Sequence, residues 1–519
     1  MENNKSTWTL LSGVATNTAY RTPVIANLIR NLLETRRYRI KFGMTWGFLK
    51  MALFFTCLCA LFFSCEKDDS PDPEKGQPVT GDTLKVNTFI HDYTKELYLW
   101  TSTIDWKTQD PKYERNSFEF FDKLIYKKVD RWSMLTDDAQ SFYNALDGIS
   151  TSFGYELIWG RFNENSKERF AIVLYVYPRS PAEKAGLKRG DFLLTINGFE
   201  PITDANYMNF YNAPTIVCGR AVLKENDDLV MDATPISMDA VTMYEDPVVK
   251  DTVIVKGSHK IGYLFYTSYT QESANRLLEV FFNFKSQGVN DVVLDLRYNG
   301  GGYAFVSCLL GSILAPKQAV TGKSVFLTQT WNDQCMEEFK KEGEDTNEYF
   351  IHNIPVNLDL SRLYVLTMKY SASASEATII GLKPYMNVVQ IGEATHGKYY
   401  GGALIGPMVY DRVKKEWIAD KQLENWLMYL MIYRYADKNG DVSFSGGLVP
   451  HFAAKEDYFP LYPLGSERDP LLGKAIEMIT GEPVVHTRAK PIQMPFKIDD
   501  AKLRSPLNGK MIHSGEMPF

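Results

Sequence analysis

The sequence predicts a multi-domain α/β protein whose C-terminal half is built on a mostly parallel sheet. Three observations predict this. The chain has 519 residues, which corresponds to about three domains. Beyond Lys256, short apolar runs alternate with stretches of helical periodicity. Upstream of these, residues 148–238 carry runs of β-branched and aromatic residues punctuated by Gly-containing turns. At 45% hydrophobic and 23% charged the chain can bury large cores, and a net charge of −6 without any Lys/Arg run excludes nucleic acid as the main partner.

Residues 1–64 form an upstream region ending in an export signal. Met51–Phe63 (MALFFTCLCALFF) is too short for a bilayer span, which needs about 20 apolar residues, but suits a signal-peptide core preceded by Lys50. Ser64-Cys65 closes the run and resembles the lipobox of bacterial lipoproteins, which implies cleavage before Cys65 and its acylation. A plain secretory signal or a short anchor helix is the alternative. Glu66-Lys67-Asp68-Asp69 resembles the acidic export tag of some Gram-negative lineages, implying an outer-membrane lipoprotein of the cell envelope. Residues 1–43 lack apolar periodicity, so Met44 is the expected start of translation.

Residues 65–84 are Pro-, Gly- and acid-rich and read as a flexible tether. Residues 85–147 read as a small helical domain, with Phe89, Tyr93, Leu97 and Leu99, then Phe118, Phe120, Phe121 and Leu124, at helical spacing. In 148–238 a strand at Phe170–Tyr177 precedes Ser180–Leu187 (SPAEKAGL), Gly190-Asp191 and a second strand at Phe192–Ile196. This order resembles a PDZ domain. The resemblance places the peptide-carboxylate loop at Phe153-Gly154-Tyr155, before the second strand, with the peptide added as a strand to the sheet edge. Glu156 is an unhelpful charge there.

Residues 239–481 form the core. Strands are expected at Lys260–Tyr266, Asp291–Leu296 and Leu363–Met368, and helices at Thr270–Gln287 and Ala304–Leu314. In the first helix Ala274, Leu277, Leu278, Phe281 and Phe282 are expected to share a buried face. Trp331–Ile354 is polar and reads as a solvated loop, with an excursion over the site as the alternative. Residues 482–519 form a Pro-rich polar tail, either a strand-exchange arm or a mobile end. Cys218, Cys308 and Cys335 are scattered without metal-site spacing and read as buried thiols, so no structural metal is expected.

Three segments carry the chemistry. Ser371-Ala372-Ser373-Ala374-Ser375-Glu376 stands where a buried strand hands over to a helix. In isolation Ser373-x-x-Glu376 reads as a capping box, yet free N–H groups in a first helical turn also suit a developing oxyanion. Asp295-Leu296-Arg297-Tyr298-Asn299-Gly300-Gly301-Gly302 is a glycine loop lacking either phosphate-binding pattern. Gly392-Glu393-Ala394-Thr395-His396-Gly397-Lys398 ends in a lysine that serves as a base only if burial keeps it neutral.

In this order, with Ser373 and Lys398 25 positions apart, the segments resemble the C-terminal processing peptidases of the S41 family of serine proteases. With the PDZ-like segment, the resemblance covers about residues 86–481. It implies a ClpP/crotonase-like core, Ser373 as nucleophile, Lys398 as general base, and an oxyanion hole from the Gly302 and Ala374 N–H groups. It implies polypeptide substrates, unstructured or C-terminal, presented by the PDZ domain, and no cofactor. Ser371 and Ser375 become turn and cap residues.

Two positions depart from the family: Gly402 stands where many relatives have a lysine-orienting Gln, and His451 where they have Asp. A different orienting group is therefore expected. Two other readings stay open, His396 as the base and a catalytically silent peptide-binding protein on the same fold. Oligomeric state is left open.

Overall fold

Helix begins where the proline-rich stretch ends. The computed structural model describes residues 77–484 apart from 164, 225–228, 412–415 and 441–443, together with 497–498 and 510–513. Met44, the signal segment, Cys65 and most of the tether lie outside the described residues. Helix α1 (Gly81–Leu97) starts within the stretch read as tether, because Pro78 is the last residue there that resists a helix interior. It buries Val86, Phe89, Ile90 and Leu97 along one face. Helix α2 (Ser117–Leu124) is capped by Asn116, whose side chain accepts from the Phe118 and Glu119 N–H groups. It buries Phe120, Phe121 and Leu124 and leaves Phe118 exposed. Strand β1 (Met134–Thr136) then leaves the helices for the C-terminal half.

The PDZ-like segment contributes β2 (Tyr155–Arg161), β3 (Glu168–Val176), the short helix α3 (Pro181–Lys184) and β4 (Phe192–Ile196). Strand β3 alternates between two cores, as the period of two requires. Ala171 and Val173 pack with Leu157, Leu193 and Phe210 inside the segment. Phe170, Ile172 and Leu174 join a core shared with Phe265, Val293, Leu366, Ile391 and Leu471 of the C-terminal half. One face of the PDZ-like sheet is thus part of the larger core.

In the C-terminal half, β5 (Val248–Lys256), β6 (His259–Tyr266), helix α4 (Ser273–Ser286) and β7 (Asp291–Asp295) lead into the short β8 (Gly301–Tyr303). Helix α5 (Ala304–Leu314), β9 (Val325–Trp331), helix α6 (Asp333–Glu342) and β10 (Arg362–Thr367) follow. Next come helix α7 (Ala374–Leu382), β11 (Asn387–Gly392), β12 (Tyr400–Ile405), β13 (Leu427–Ala436) and β14 (Phe452–Ala453). Helix α8 (Pro470–Thr480) and the short strands β15 (Lys497–Ile498) and β16 (Lys510–Ile512) end the described chain.

One sheet has the order β5-β6-β7-β10-β11-β14, with every neighbouring pair parallel except β5–β6. A second sheet runs β8-β16-β12-β13-β9, with β1 also pairing β13. The mixed α/β architecture agrees with the sequence reading, but two details differ. Phe282 is 36% exposed whereas Phe284 is buried. At 3.6 residues per turn, position 282 lies about 100° or more round from each of Leu277, Phe281 and Phe284. Residues 331–354 are not a loop: they hold α6, capped by the Asn332 side chain, and a short strand on β9. Only Cys335 is buried in α6, so the helix carries little apolar signal.

The Asp295-Leu296-Arg297 end of β7 is locked by buried charge. Arg297 is fully buried and donates to Asp295, to Glu456 at 2.7 Å and to Asp469 at 2.8 Å. Arg189 of the PDZ-like segment also reaches Glu456, and Tyr298 Oη donates to the same carboxylate. Asp469 in turn caps α8 through the Leu471 and Leu472 N–H groups. The glycine loop therefore starts from a fixed strand end.

Candidate active site

Three segments leave the carboxyl ends of three neighbouring parallel strands, β7, β10 and β11, the edge where open α/β sheets place their sites. The glycine loop and the serine turn are stitched together. Asn299 C=O accepts from the Ala372 N–H and from Ser375 Oγ, both at 3.0 Å, and Ser371 Oγ donates to Leu296 C=O at 2.8 Å. The outer serines are thus spent on the turn. The middle one is not: Ser373 is fully buried, and its Oγ has no hydrogen-bond partner among the described residues.

Ser373 has φ 61°, ψ −111°, a strained conformation for a side chain-bearing residue, directly before α7. Ala374, the first helical residue, has an N–H with no intrahelical acceptor. Gly302 faces this turn from β8 with φ +139°, and a Cβ there would meet Tyr269 O at 2.3 Å, so only glycine fits.

Glu376 is the centre of the arrangement. Fully buried, its Oε2 accepts from the Ser373 N–H at 2.7 Å and the Lys398 N–H at 3.0 Å. Its Oε1 accepts from Thr395 Oγ1 and the Gly397 N–H, both at 2.6 Å. Desolvation pushes its carboxyl up to about 7 against the pull of these four donors. Tyr435 Oη lies 2.9 Å from Ser373 O and 2.5 Å from Lys398 O. One carboxylate oxygen and one hydroxyl therefore each touch both backbones.

Lys398 is fully buried. Its Nζ donates to Tyr429 Oη at 3.3 Å and lies 5.2 Å from the Trp132 ring centre and 5.6 Å from that of Tyr429. Nζ and Ser373 Oγ do not hydrogen-bond to each other, and the two residues are joined through their backbones by the clamp. At Gly402 a Cβ would lie 2.4 Å from Met431 Cε and 2.7 Å from the Tyr429 ring, so the tyrosine of β13 fills the space a side chain at 402 would need. His451 Nδ1 accepts from the Gln390 N–H at 3.1 Å. His396 donates its backbone N–H to Ser371 C=O, while partial burial, then the charges of Arg131 and Lys398, hold its imidazole below the usual histidine range.

At the PDZ-like loop, Phe153 and Tyr155 are buried, and the Gly154 N–H donates to Ser152 Oγ at 3.2 Å. Glu156 is also buried. Sequence reasoning missed Trp132, Tyr429 and Tyr435. Tyr429, Tyr433 and Tyr435 occupy alternate positions of β13, a period-two signal available in the sequence. Trp132 left no such signal.

The layered fold and the three-loop edge describe a peptidase-like α/β core fused to a PDZ domain, and comparison with known proteins agrees. Residues 260–453 match peptidase family S41, residues 85–134 the peptidase S41 N-terminal domain, and residues 172–206 the PDZ domain. The chain belongs to peptidase family S41. It is 25% identical over 285 residues to the carboxy-terminal processing protease CtpA of Bacillus subtilis, covering 53% of this chain and 55% of that protein. To CtpB of the same organism it is 23% identical over 380 residues, covering 68% of each. The chain thus spans little more than half the length of CtpA. The crystal structure of a candidate S41 protease from Bacteroides fragilis has a TM-score of 0.62 at 24% identity, covering 80% of this chain and 99% of that one, and shows the same fold.

Proposed function

We propose that the chain is a serine endopeptidase in which Ser373 is the nucleophile and Lys398 the general base. The observation that carries this reading is the shared clamp: Glu376 Oε2 and Tyr435 Oη each bind the backbones of both residues. Burial is the condition under which a lysine amine can act as a base. Among the described residues the Ser373 hydroxyl has no hydrogen bond to break before it turns toward that amine.

Oγ attacks the peptide carbonyl as its proton passes to Nζ, and the oxyanion develops against the Gly302 and Ala374 N–H groups. The C–N bond then breaks, Nζ protonates the leaving amine, and water cleaves the acyl-enzyme by the same route. Substrates are extended polypeptides. The relatives named carboxy-terminal processing proteases support unstructured or C-terminal segments as the class, with the PDZ domain presenting the chain. Acylation at Cys65 would hold the enzyme at the cell envelope.

Ser373→Ala and Lys398→Ala, each assayed on fluorescein-labelled unfolded casein, test the reading. Loss of cleavage in both is expected, and near wild-type cleavage by either overturns it. A peptide-binding protein without turnover is the second reading, favoured by the missing Ser373–Lys398 hydrogen bond. It requires that a serine-reactive phosphonate leave Ser373 unlabelled at every pH.

A further inference from the structure

The slot beside the candidate oxyanion loop is filled by the chain itself. Strand β16 lies between β8 and β12 and is parallel to both, with Gly302 opposite Met511 and Gly402 opposite Ile512. The His513 N–H donates to Gly402 C=O at 2.7 Å, and Ile512 is buried. On the far side of β8, Gly301 C=O accepts from the Tyr269 N–H and the Tyr303 N–H donates to Tyr269 C=O. Alternation along a ladder then turns the N–H and C=O of Gly302 the other way, toward residues 510–512. The arm's backbone faces the very N–H group assigned to the oxyanion.

A second strand edge is occupied by β15. Strand β15 pairs antiparallel with β2, with Lys497 opposite Arg161 and Ile498 opposite Gly160. Strand β2 follows the Phe153-Gly154-Tyr155 loop, so the direction of β15, from Arg161 to Gly160, points toward that loop. A peptide added to a PDZ strand, ending at its carboxylate loop, takes the same direction.

We propose that residues 510–513 are a cis-bound strand arm that closes the slot between β8 and β12 until it is displaced, while β15 occupies the second polypeptide-accepting edge. The competing ligand is an extended, unfolded polypeptide that places an apolar side chain at the Ile512 position. Lifting the arm leaves β8 and β12 about 10 Å apart with unpaired edges, the width of one inserted strand. The inference rests on the peptidase reading only in naming that polypeptide as a substrate.

The test separates binding from turnover. In full-length Ser373→Ala protein, binding of a fluorescent synthetic peptide of residues 505–515 is measured by anisotropy, alone and with Ile512→Glu or His513→Pro added. Each arm substitution is expected to tighten binding by about ten-fold or more, since it removes a buried side chain or a ladder donor that holds the competitor in place. In protein with Ser373 intact the same changes speed casein cleavage. A rise in peptide binding without any casein cleavage supports the arm and sinks the peptidase reading. Variants that melt as cooperatively as the parent and bind no more tightly overturn the arm. Loss of the cooperative melt in both overturns it too, because β16 is then an integral strand.

Discussion

Glu376→Gln is the sharpest probe of the site, because it keeps the side chain's shape and removes half of its acceptors. Whichever way the amide lies, one position becomes an NH2 facing two donors: Ser373 and Lys398 N–H, or Thr395 Oγ1 and Gly397 N–H. A buried donor left unsatisfied costs about 1–3 kcal/mol, so about 2–6 kcal/mol of stability is at stake. For turnover, the two candidate catalytic residues lose their common anchor, and misplacement by about 1 Å costs about 10²-fold. Casein cleavage followed across pH should show kcat down about 10²-fold or more with KM little changed. The pH profile adds a readout that simple destabilisation would not move. Wild-type activity should rise as Glu376 ionises through about pH 7, and the variant should lack that limb. Stability runs the other way. The folded value of about 7 exceeds the ordinary 4.5, so the native state holds this proton more tightly. That contribution, about 3 kcal/mol, is complete below pH 4.5 and lost as pH rises through 7. A variant with kcat within two-fold of wild type and the ascending limb intact would refute the clamp.

Other substitutions test the surroundings. Tyr429→Phe keeps the ring but removes the oxygen 3.3 Å from Lys398 Nζ, and should lower kcat about ten-fold with KM unchanged in steady-state assays. Gly402→Ala drives a methyl against Met431 and Tyr429 and should cost about 1–3 kcal/mol by thermal melting. Arg297→Met leaves Asp295, Glu456 and Asp469 buried without their shared cation, and urea unfolding should show a loss of about 3–5 kcal/mol.

The parallel sheet was legible because its strands are buried on both faces, so Asp291–Leu296 and Leu363–Met368 read as nearly all-apolar runs. The serine turn, glycine loop and lysine segment were legible because each is local in sequence and follows such a strand. What escaped was non-local. Trp132 reaches Lys398 from the N-terminal segment, and Glu456 and Asp469 meet Arg297 across more than 150 positions. Helix α6 escaped for another reason, since a helix burying only Cys335 offers no apolar stripe to read. Glu376 was visible as a cap but not as a clamp, because three of its four partners, Thr395, Gly397 and Lys398, lie on another strand's loop.

The departures at Gly402 and His451 bear on orientation rather than on placement, and the structure separates the two. Placement is a backbone matter: residues 373 and 398 are held through their N–H and C=O groups by Glu376 and Tyr435, neither of which depends on position 402 or 451. Orientation of the amine falls to side chains, which are interchangeable so long as one acceptor reaches Nζ. A glutamine cannot enter at 402 while the Tyr429 ring stands 2.7 Å from where its Cβ would sit. Tyr429 supplies the oxygen from the facing strand instead. His451, bonded to the backbone of Gln390 on β11, braces the strand that delivers the lysine segment. Gly402→Gln alone should therefore destabilise the protein without restoring anything, and only with Tyr429→Ala beside it should a glutamine find room. If the double variant outperforms Tyr429→Ala by less than about two-fold in kcat, a side chain at position 402 does not orient Nζ.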